Sequence, residues 1–322
     1  MSSFFLLLLG FGLLFLGGEL LVKSSVSLAL RLKISTLFIG MTVVSFATSA
    51  PELFVSLQAV LQGSTNIALG NAIGSNIANI TLVLGITAII FRVQISKQTR
   101  SLNYPMMFFA SIFFGIVLYF FNGIPVVFGY LFLILLFLFT IFLIFAYRKG
   151  YIEDKSNNHE LLENSSSGDS LLKNLGLLLV GIFLLKYGAD FLIDSATILA
   201  SNFGVSDRII AVTILAIGTS IPELATSIVA ALRKEDSLAI GNLIGSNMFN
   251  ILAVLGLTAS IKSIDIHDTA IFSFDYFWMM ITTLVVGLFI YVFSKQQISR
   301  REGIVLVLIY SYYMYQTLKV FI

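Results

Sequence analysis

Ala47-Thr48-Ser49-Ala50-Pro51-Glu52 interrupts a long apolar run, and 171 residues later Gly218-Thr219-Ser220-Ile221-Pro222-Glu223 interrupts another in the same way. A carboxylate at hydrocarbon depth is costly and rare, so its first reading is a functional site with a partner nearby. Two of them, equivalent by repetition, point to one shared site. The likeness extends outward without a gap: Gly40 to Gly85 set against Ala211 to Gly256 gives 21 identities in 46 positions. Among them are Gly70-Asn71 with Gly241-Asn242, Gly74-Ser75-Asn76 with Gly245-Ser246-Asn247, and Asn79 with Asn250. Chance similarity between two apolar helices would fall on Leu and Val, whereas these matches fall on Gly, Asn, Ser, Thr, Pro and Glu. The chain is a duplicated unit.

Composition sets the solvent. Of 322 residues, 58% are hydrophobic and 11% charged, against about 25% charged in a soluble domain, and the mean hydropathy is +0.98. This predicts an all-α integral membrane protein. Cysteine is absent and the two histidines, His159 and His267, lie in polar stretches. Disulfides are excluded, zinc and copper lack their usual ligands, and no resident cofactor is expected. The start, Met1-Ser2-Ser3-Phe4-Phe5, lacks the basic opening of a signal peptide, so the first apolar stretch is expected to stay as a span.

A span needs about 20 residues, and polar or Gly/Pro breaks divide the chain into ten, at 3–29, 35–61, 66–91, 104–121, 125–147, 172–200, 208–232, 237–261, 272–293 and 303–321. The second, third, seventh and eighth read as broken helices. One set of connecting segments carries Arg31, Lys33, Arg92, Lys97, Arg100, Arg148, Lys149, Lys155, Lys173, Arg233, Lys234, Lys295, Arg300 and Arg301, while the other carries only Arg208, Lys262 and Lys319. The positive-inside rule then predicts both termini outside and the central loop in the cytoplasm. Five spans per half is an odd number, so residues 1–147 and 172–322 form two inverted repeats joined by a linker at 148–171. In secondary transporters of that plan the site lies near the midplane, where broken helices of the two halves meet.

The linker, with Glu153, Asp154, Glu160, Glu163 and Asp169, reads as a solvated connection. No loop signature for calcium sensing is present in it. Asn164-Ser165-Ser166 fits a glycosylation pattern that a cytoplasmic loop would not use. Elsewhere, Glu19 with Lys23 and Lys186 with Asp190 are spaced to pair within their own helices, with Asp194 one turn on; such charges read as structural or snorkelling. Tyr119 to Phe121 and Leu131 to Phe145 are expected to face lipid.

The chemistry sits in the repeated segments. Proline inside a helix frees the carbonyl four residues back, which is that of Ala47 for Pro51 and of Gly218 for Pro222. At this depth irregular backbone survives only where buried in protein or lining a wet cavity. Thr48 and Glu52 share one helical face, as do Thr219 and Glu223, Ser75 and Asn79, and Ser246 and Asn250. Together with the hydroxyls of Ser49 and Ser220, each half offers a carboxylate, an amide, hydroxyls and carbonyls. All are hard oxygen donors, an inventory that suits Ca²⁺ and also Na⁺. The Gly-x-x-x-Gly spacings at Gly70/Gly74 and Gly241/Gly245 read as close helix packing that brings these faces near the glutamates. No phosphate-binding Gly-x-x-x-x-Gly-Lys-Ser/Thr pattern occurs.

At these residues the chain resembles the cation/calcium exchanger superfamily, and most closely its prokaryotic sodium/calcium antiporters. The Thr-Ser-x-Pro-Glu and Gly-Asn-x-x-Gly-Ser-Asn segments match the paired alpha repeats of that family. The resemblance implies ten helices in two inverted halves, with cation sites among the second, third, seventh and eighth. It implies that Glu52 and Glu223 bind both Ca²⁺ and Na⁺, and that the carbonyls of Thr48 and Thr219 help hold Ca²⁺. Ser75, Ser246 and the carbonyls of Ser45 and Ala216 would complete outer Na⁺ positions, Asn79 and Asn250 would line the middle, and the first and sixth helices would slide across the rest. Asn250 stands where potassium-dependent branches carry an acid, which speaks against potassium. Ala47 replaces a glycine common in the motif, and the linker is too short for the regulatory domains of animal members.

The expected activity is electrogenic Na⁺/Ca²⁺ antiport. A proton/calcium antiporter is the nearest alternative, since a buried carboxylate also takes up protons, and a passive cation channel is the alternative of another class. An intramembrane enzyme finds no nucleophile and base pair to support it. Lipid and the transported ions are the expected partners, without nucleic acid or an obligatory protein.

Overall fold

The computed structural model describes residues 2–32, 34–148, 171–202, 216–293 and 296–321. The central linker, the start of the seventh expected span with Arg208, and Lys33 and Lys295 lie outside the described residues. The helices are α1 (Ser2–Leu32), α2 (Thr36–Thr48), α3 (Ala50–Leu61), α4 (Thr65–Ile90), α5 (Thr99–Phe121) and α6 (Val126–Arg148). After the linker come α7 (Leu171–Asn202), α8 (Ala216–Gly218), α9 (Ile221–Leu232), α10 (Asp236–Ile261), α11 (Ile271–Phe293) and α12 (Arg300–Phe321).

Among the described residues, seven helices are long and apolar enough to cross a membrane, and α2 with α3, bent by 45° at their joint, makes an eighth. The seventh expected span is visible only as α8 and α9. The tenth, α12, has 22 residues, but Tyr310, Tyr312, Tyr313, Tyr315 and Gln316 make it less apolar than the others. Three of the four prolines lie where a missing N–H costs nothing: Pro51 and Pro222 open α3 and α9, and Pro125 precedes α6; Pro105 lies within α5, just after its π stretch Thr99–Asn103.

The third and eighth spans differ in kind from the expected broken helices. Each is one continuous helix, and the α pattern widens to π over Asn79–Val83 in α4 and Asn250–Leu255 in α10. No proline lies in either, so the ladder of hydrogen bonds is loosened rather than cut. The loosening starts in both helices at the repeated asparagine.

Two short antiparallel ladders tie connecting segments together. β1 (Val93–Gln94) pairs with β4 (Gln297–Ile298), and β2 (Gly123–Ile124) pairs with β3 (Ile264–Asp265). Moving β1 on by 171 residues gives β3, so the two clips are repeat equivalents at opposite ends of the bundle. Asn122 ends α5 in the left-handed conformation, and Gly123 at φ +152° lies against the Ile264 carbonyl, where a side chain would collide. Tyr104 Oη donates to the Thr283 carbonyl at 2.8 Å and Tyr276 Oη to that of Ser111 at 3.2 Å. These two tyrosines lie over Gly287 and Gly115, a second reciprocal lock between α5 and α11.

The apolar interior has two parts. One is built by α4, α5, α6, α10, α11 and α12; the other lies where α1 and α7 meet α2, α9 and the start of α10. Helices α1 and α7 pack on each other through glycines. Gly10 meets the Gly188 carbonyl and Gly188 that of Gly10; Gly17 and Gly181 do the same. Tyr119 to Phe121 and much of α6 are exposed, although Phe132, Phe139 and Leu143 turn inward.

Lys186 and Asp190 pair as their spacing suggests, at 2.6 Å. Glu19 does not pair with Lys23; it forms its ion pair with Arg233, just past the end of α9. Gly18 lies against Val229, so α1 approaches α9 closely enough for the longer partner to reach.

A Cβ at Gly17 would come within 2.7 Å of the Leu185 nitrogen, whereas one at Gly12 meets nothing within 4 Å. Overpacking a close contact costs about 1–3 kcal/mol. Gly17→Val is therefore expected to lower the thermal unfolding temperature of the purified protein, and Gly12→Val to leave it unchanged; equal effects would contradict the glycine seam.

Candidate functional site

Both hexapeptides form the same local structure. Ser49 leaves α geometry at φ −87°, ψ 5°, and Ser220 at φ −90°, ψ 3°, and the next helix starts with proline in its first turn. The chain thus breaks just ahead of each glutamate, and the helix N-terminus that follows favours negative charge. Glu52 and Glu223 are completely buried. Among the described residues, no ion pair reaches either carboxylate.

The two glutamates share one interior. The Glu52 carboxylate has Ser75 and Glu223 as its polar neighbours, and that of Glu223 has Thr48 and Ser49. Ser49 Oγ donates to Glu223 Oε1 at 3.3 Å, a bond from one half of the chain to the other. Thr48 Oγ1 lies 3.4 Å from Ser246 Oγ, and its repeat counterpart Thr219 Oγ1 lies 3.5 Å from Ser75 Oγ. That reciprocal crossing places α2 against α10 and the α8–α9 joint against α4.

Many oxygens here lack a donor. Neither Glu52 oxygen takes a hydrogen bond of ordinary geometry, nor do Glu223 Oε2, Asn79 Oδ1 and Asn250 Oδ1. Asn79 and Asn250 are fully buried at the start of the π segments, and Asn250 Nδ2 donates to Asn76 Oδ1 at 3.1 Å. Ser220 Oγ is likewise buried without a partner. Leaving buried polar groups unpaired is expensive and calls for an explanation. Among the described residues, no group of three His, Cys, Asp or Glu occurs, so two carboxylates and neutral oxygens make up the donor set.

The Ser45 hydroxyl donates to the carbonyls of Gly40 at 2.8 Å and Asn242 at 2.9 Å, while its own carbonyl accepts from Thr48 Oγ1 at 3.5 Å. Ala216 opens the short turn α8. Asn242 and Asn71 are more closely involved than their place in the repeat suggested. Asn242 Oδ1 accepts from Thr48 Oγ1 at 3.2 Å, and Asn71 Nδ2 donates to the Glu52 carbonyl at 3.1 Å and to Ser56 Oγ at 3.0 Å. Their identity in both copies is the signal the sequence carries for them.

The repeated glycines differ in their described surroundings. Gly241 and Gly245 are buried against Leu37, Met41 and Ser45 of α2. Gly70 and Gly74, 171 residues earlier, are half-exposed, and among the described residues nothing comes within 4 Å of where their Cβ would be. The residues equivalent to Leu37 and Met41 by the 171-residue repeat, 208 and 212, lie outside the described residues.

Comparison with known proteins matches this architecture. A family model described as sodium/calcium exchanger protein matches residues 2–145 and again 173–319, one stretch in each half. The chain is 34% identical over 304 residues to the inner membrane protein YrbG of Escherichia coli, covering 94% of this chain and 92% of that one. It is 30% identical over 355 residues to the sodium/calcium exchanger MaX1 of Methanosarcina acetivorans, covering 96% of both. Among solved structures, the sodium-calcium exchanger NCX_Mj soaked without Na⁺ and Ca²⁺ superimposes with a TM-score of 0.79 at 29% identity over 96% of each chain. The duplicated hexapeptides, the buried glutamate pair and these similarities together assign the chain to the sodium/calcium exchanger protein family.

Proposed function

We propose that the protein exchanges Na⁺ for Ca²⁺ across the cytoplasmic membrane by alternating access, with Glu52 and Glu223 as shared ligands of both ions. The observation that carries this reading is the set of donorless oxygens around two buried carboxylates, one from each half. A cation satisfies such oxygens directly, and an all-oxygen set is the one Ca²⁺ prefers. Thr48, Thr219, Ser49, Ser220, Asn79 and Asn250 supply neutral ligands, with Ser75 and Ser246 beside them and the carbonyls of Ser45 and Ala216 at the margins. NCX_Mj, a sodium-calcium exchanger by name, was solved after soaking in Na⁺ with Ca²⁺ and with Sr²⁺, which supports the same class of substrate here.

Charge arithmetic gives the coupling. Without cargo, two carboxylates would carry uncompensated charge through the switch, and burying an unpaired ion costs several kcal/mol even after relaxation. One Ca²⁺ or two Na⁺ cancels that charge, so either load permits reorientation. A third Na⁺ on hydroxyls and carbonyls would make the cycle electrogenic, moving one net charge worth about 2.3 kcal/mol at 100 mV. The glycine-seamed pair α1 and α7, separate from the main core, is the element suited to sliding.

Breaking a buried ion pair costs about 3–5 kcal/mol, which corresponds to roughly 100-fold or more in affinity. Glu52→Gln and Glu223→Gln should each abolish Na⁺-dependent ⁴⁵Ca²⁺ uptake into proteoliposomes; parental flux in either variant would overturn the site. The coupling ion is read separately: uptake is expected from a Na⁺ gradient at equal pH and not from a pH gradient without Na⁺. The opposite outcome would make this a proton/calcium antiporter, and flux needing no counter-ion would make it a channel. The charge distribution further predicts that cysteines introduced at Gln94 or Gln297 react with an impermeant maleimide from the cytoplasmic side, and at Gly63 or Lys262 from outside.

A further inference from the structure

Lys186 and Asp190 are placed unusually for charged residues of a membrane helix. Their side chains are 54% and 46% exposed, with Nζ and Oδ2 2.6 Å apart. Nζ also lies 5.1 Å from the centre of the Tyr187 ring. The glycine contacts give their depth: Gly10 meets Gly188 and Gly17 meets Gly181, so α1 and α7 cross midway between these pairs. For inverted repeats that crossing level is the bilayer midplane. Lys186 lies within about 3 Å of it along α7 and Asp190 about 8 Å from it, while the edge of the hydrocarbon is roughly 15 Å away. Neither charge sits where a helix end would let it reach water.

The same face of α7 carries a regular seam. Leu172, Gly176, Leu179, Phe183, Lys186 and Asp190 follow at intervals alternating between four and three residues, the period with which one helix packs along another. Leu172, Leu179 and Phe183 are exposed, and a Cβ at Gly176 would meet nothing within 4 Å. A seam of this period with a small residue near one end suits a neighbouring helix. Acyl chains offer no partner for its charges.

We propose that this face packs against α7 of a second copy of the chain, with Lys186 of each copy reaching Asp190 of the other. The charge pattern selects the occupant. A two-fold axis along the membrane normal holds equivalent residues at equal depth, so each lysine meets an aspartate one turn away, the offset it already spans within its own helix. A positive and a negative charge one turn apart are thus their own complement in an isologous interface. In the dimer the four charges form a closed quartet shielded from lipid.

The chain has no cysteine, so single cysteines report contacts cleanly. In native membranes treated with copper phenanthroline, Phe183→Cys is expected to give a disulfide-linked dimer at least ten times more abundant than Phe137→Cys, which is equally exposed but on α6. Equal or absent cross-linking would overturn the proposal, and this comparison stands whatever the charge variants do. Added to Phe183→Cys, Lys186→Asp alone and Asp190→Lys alone should each lose the cross-link. Differently tagged and co-expressed, they should regain it as the mixed dimer, where every charge again has an opposite. Retention of the cross-link by either variant alone, or failure of the two correctly folded variants to pair, would show that the charges do not face each other between copies.

Discussion

Two acidic side chains held in a buried interior, with most of their oxygens lacking a donor, are the constraint the rest of this protein answers to. Burial strengthens every interaction made by a charge and makes every missing one more expensive. Such a pair persists only where the scaffold holds it firmly and where a compensating charge can come and go. The proline-led helix starts, the repeated asparagines and the reciprocal Thr48–Ser246 and Thr219–Ser75 contacts all serve that requirement. They hold neutral oxygens around the carboxylates without supplying a lysine or arginine that would neutralise them permanently.

Duplication with inversion gives the scaffold its form. Each half contributes one buried carboxylate, one proline-led break and one helix that widens to π at the repeated asparagine. The same symmetry recurs away from the centre, in the two β clips, the Tyr104 and Tyr276 locks and the crossed glycines of α1 and α7. Departures from symmetry are informative. Asn242 grips α2 while Asn71 holds the backbone and serine of its own hexapeptide helix.

Much of this was legible in the sequence because the constraint is local. Proline, glutamate and asparagine at fixed spacing in apolar surroundings fix where the backbone must break and which oxygens lie together. The gapless repeat supplies the pairing between halves that a single motif cannot. What escaped were features set by tertiary contact. Glu19 has a lysine one turn away yet takes Arg233, because the approach of α1 to α9 at Gly18 is not written in either helix alone. The π segments follow the repeated asparagines with no breaking residue to announce them. The β clips are only two residues long, too short for an alternating pattern. Asn71 and Asn242 shared the repeat with the glutamates, but their hydrogen bonds depend on which helices pack beside them.

The proposed exchange requires one cation to be held by both glutamates at once. Anomalous diffraction from crystals soaked in Sr²⁺ tests this most directly, by locating the ion without reference to transport rates. The prediction is a single strong peak within ligand distance of Glu52 and Glu223 together, lost when Na⁺ is raised and absent from Glu223→Gln. A peak confined to one glutamate, or lying elsewhere while the interior stays empty, would contradict it.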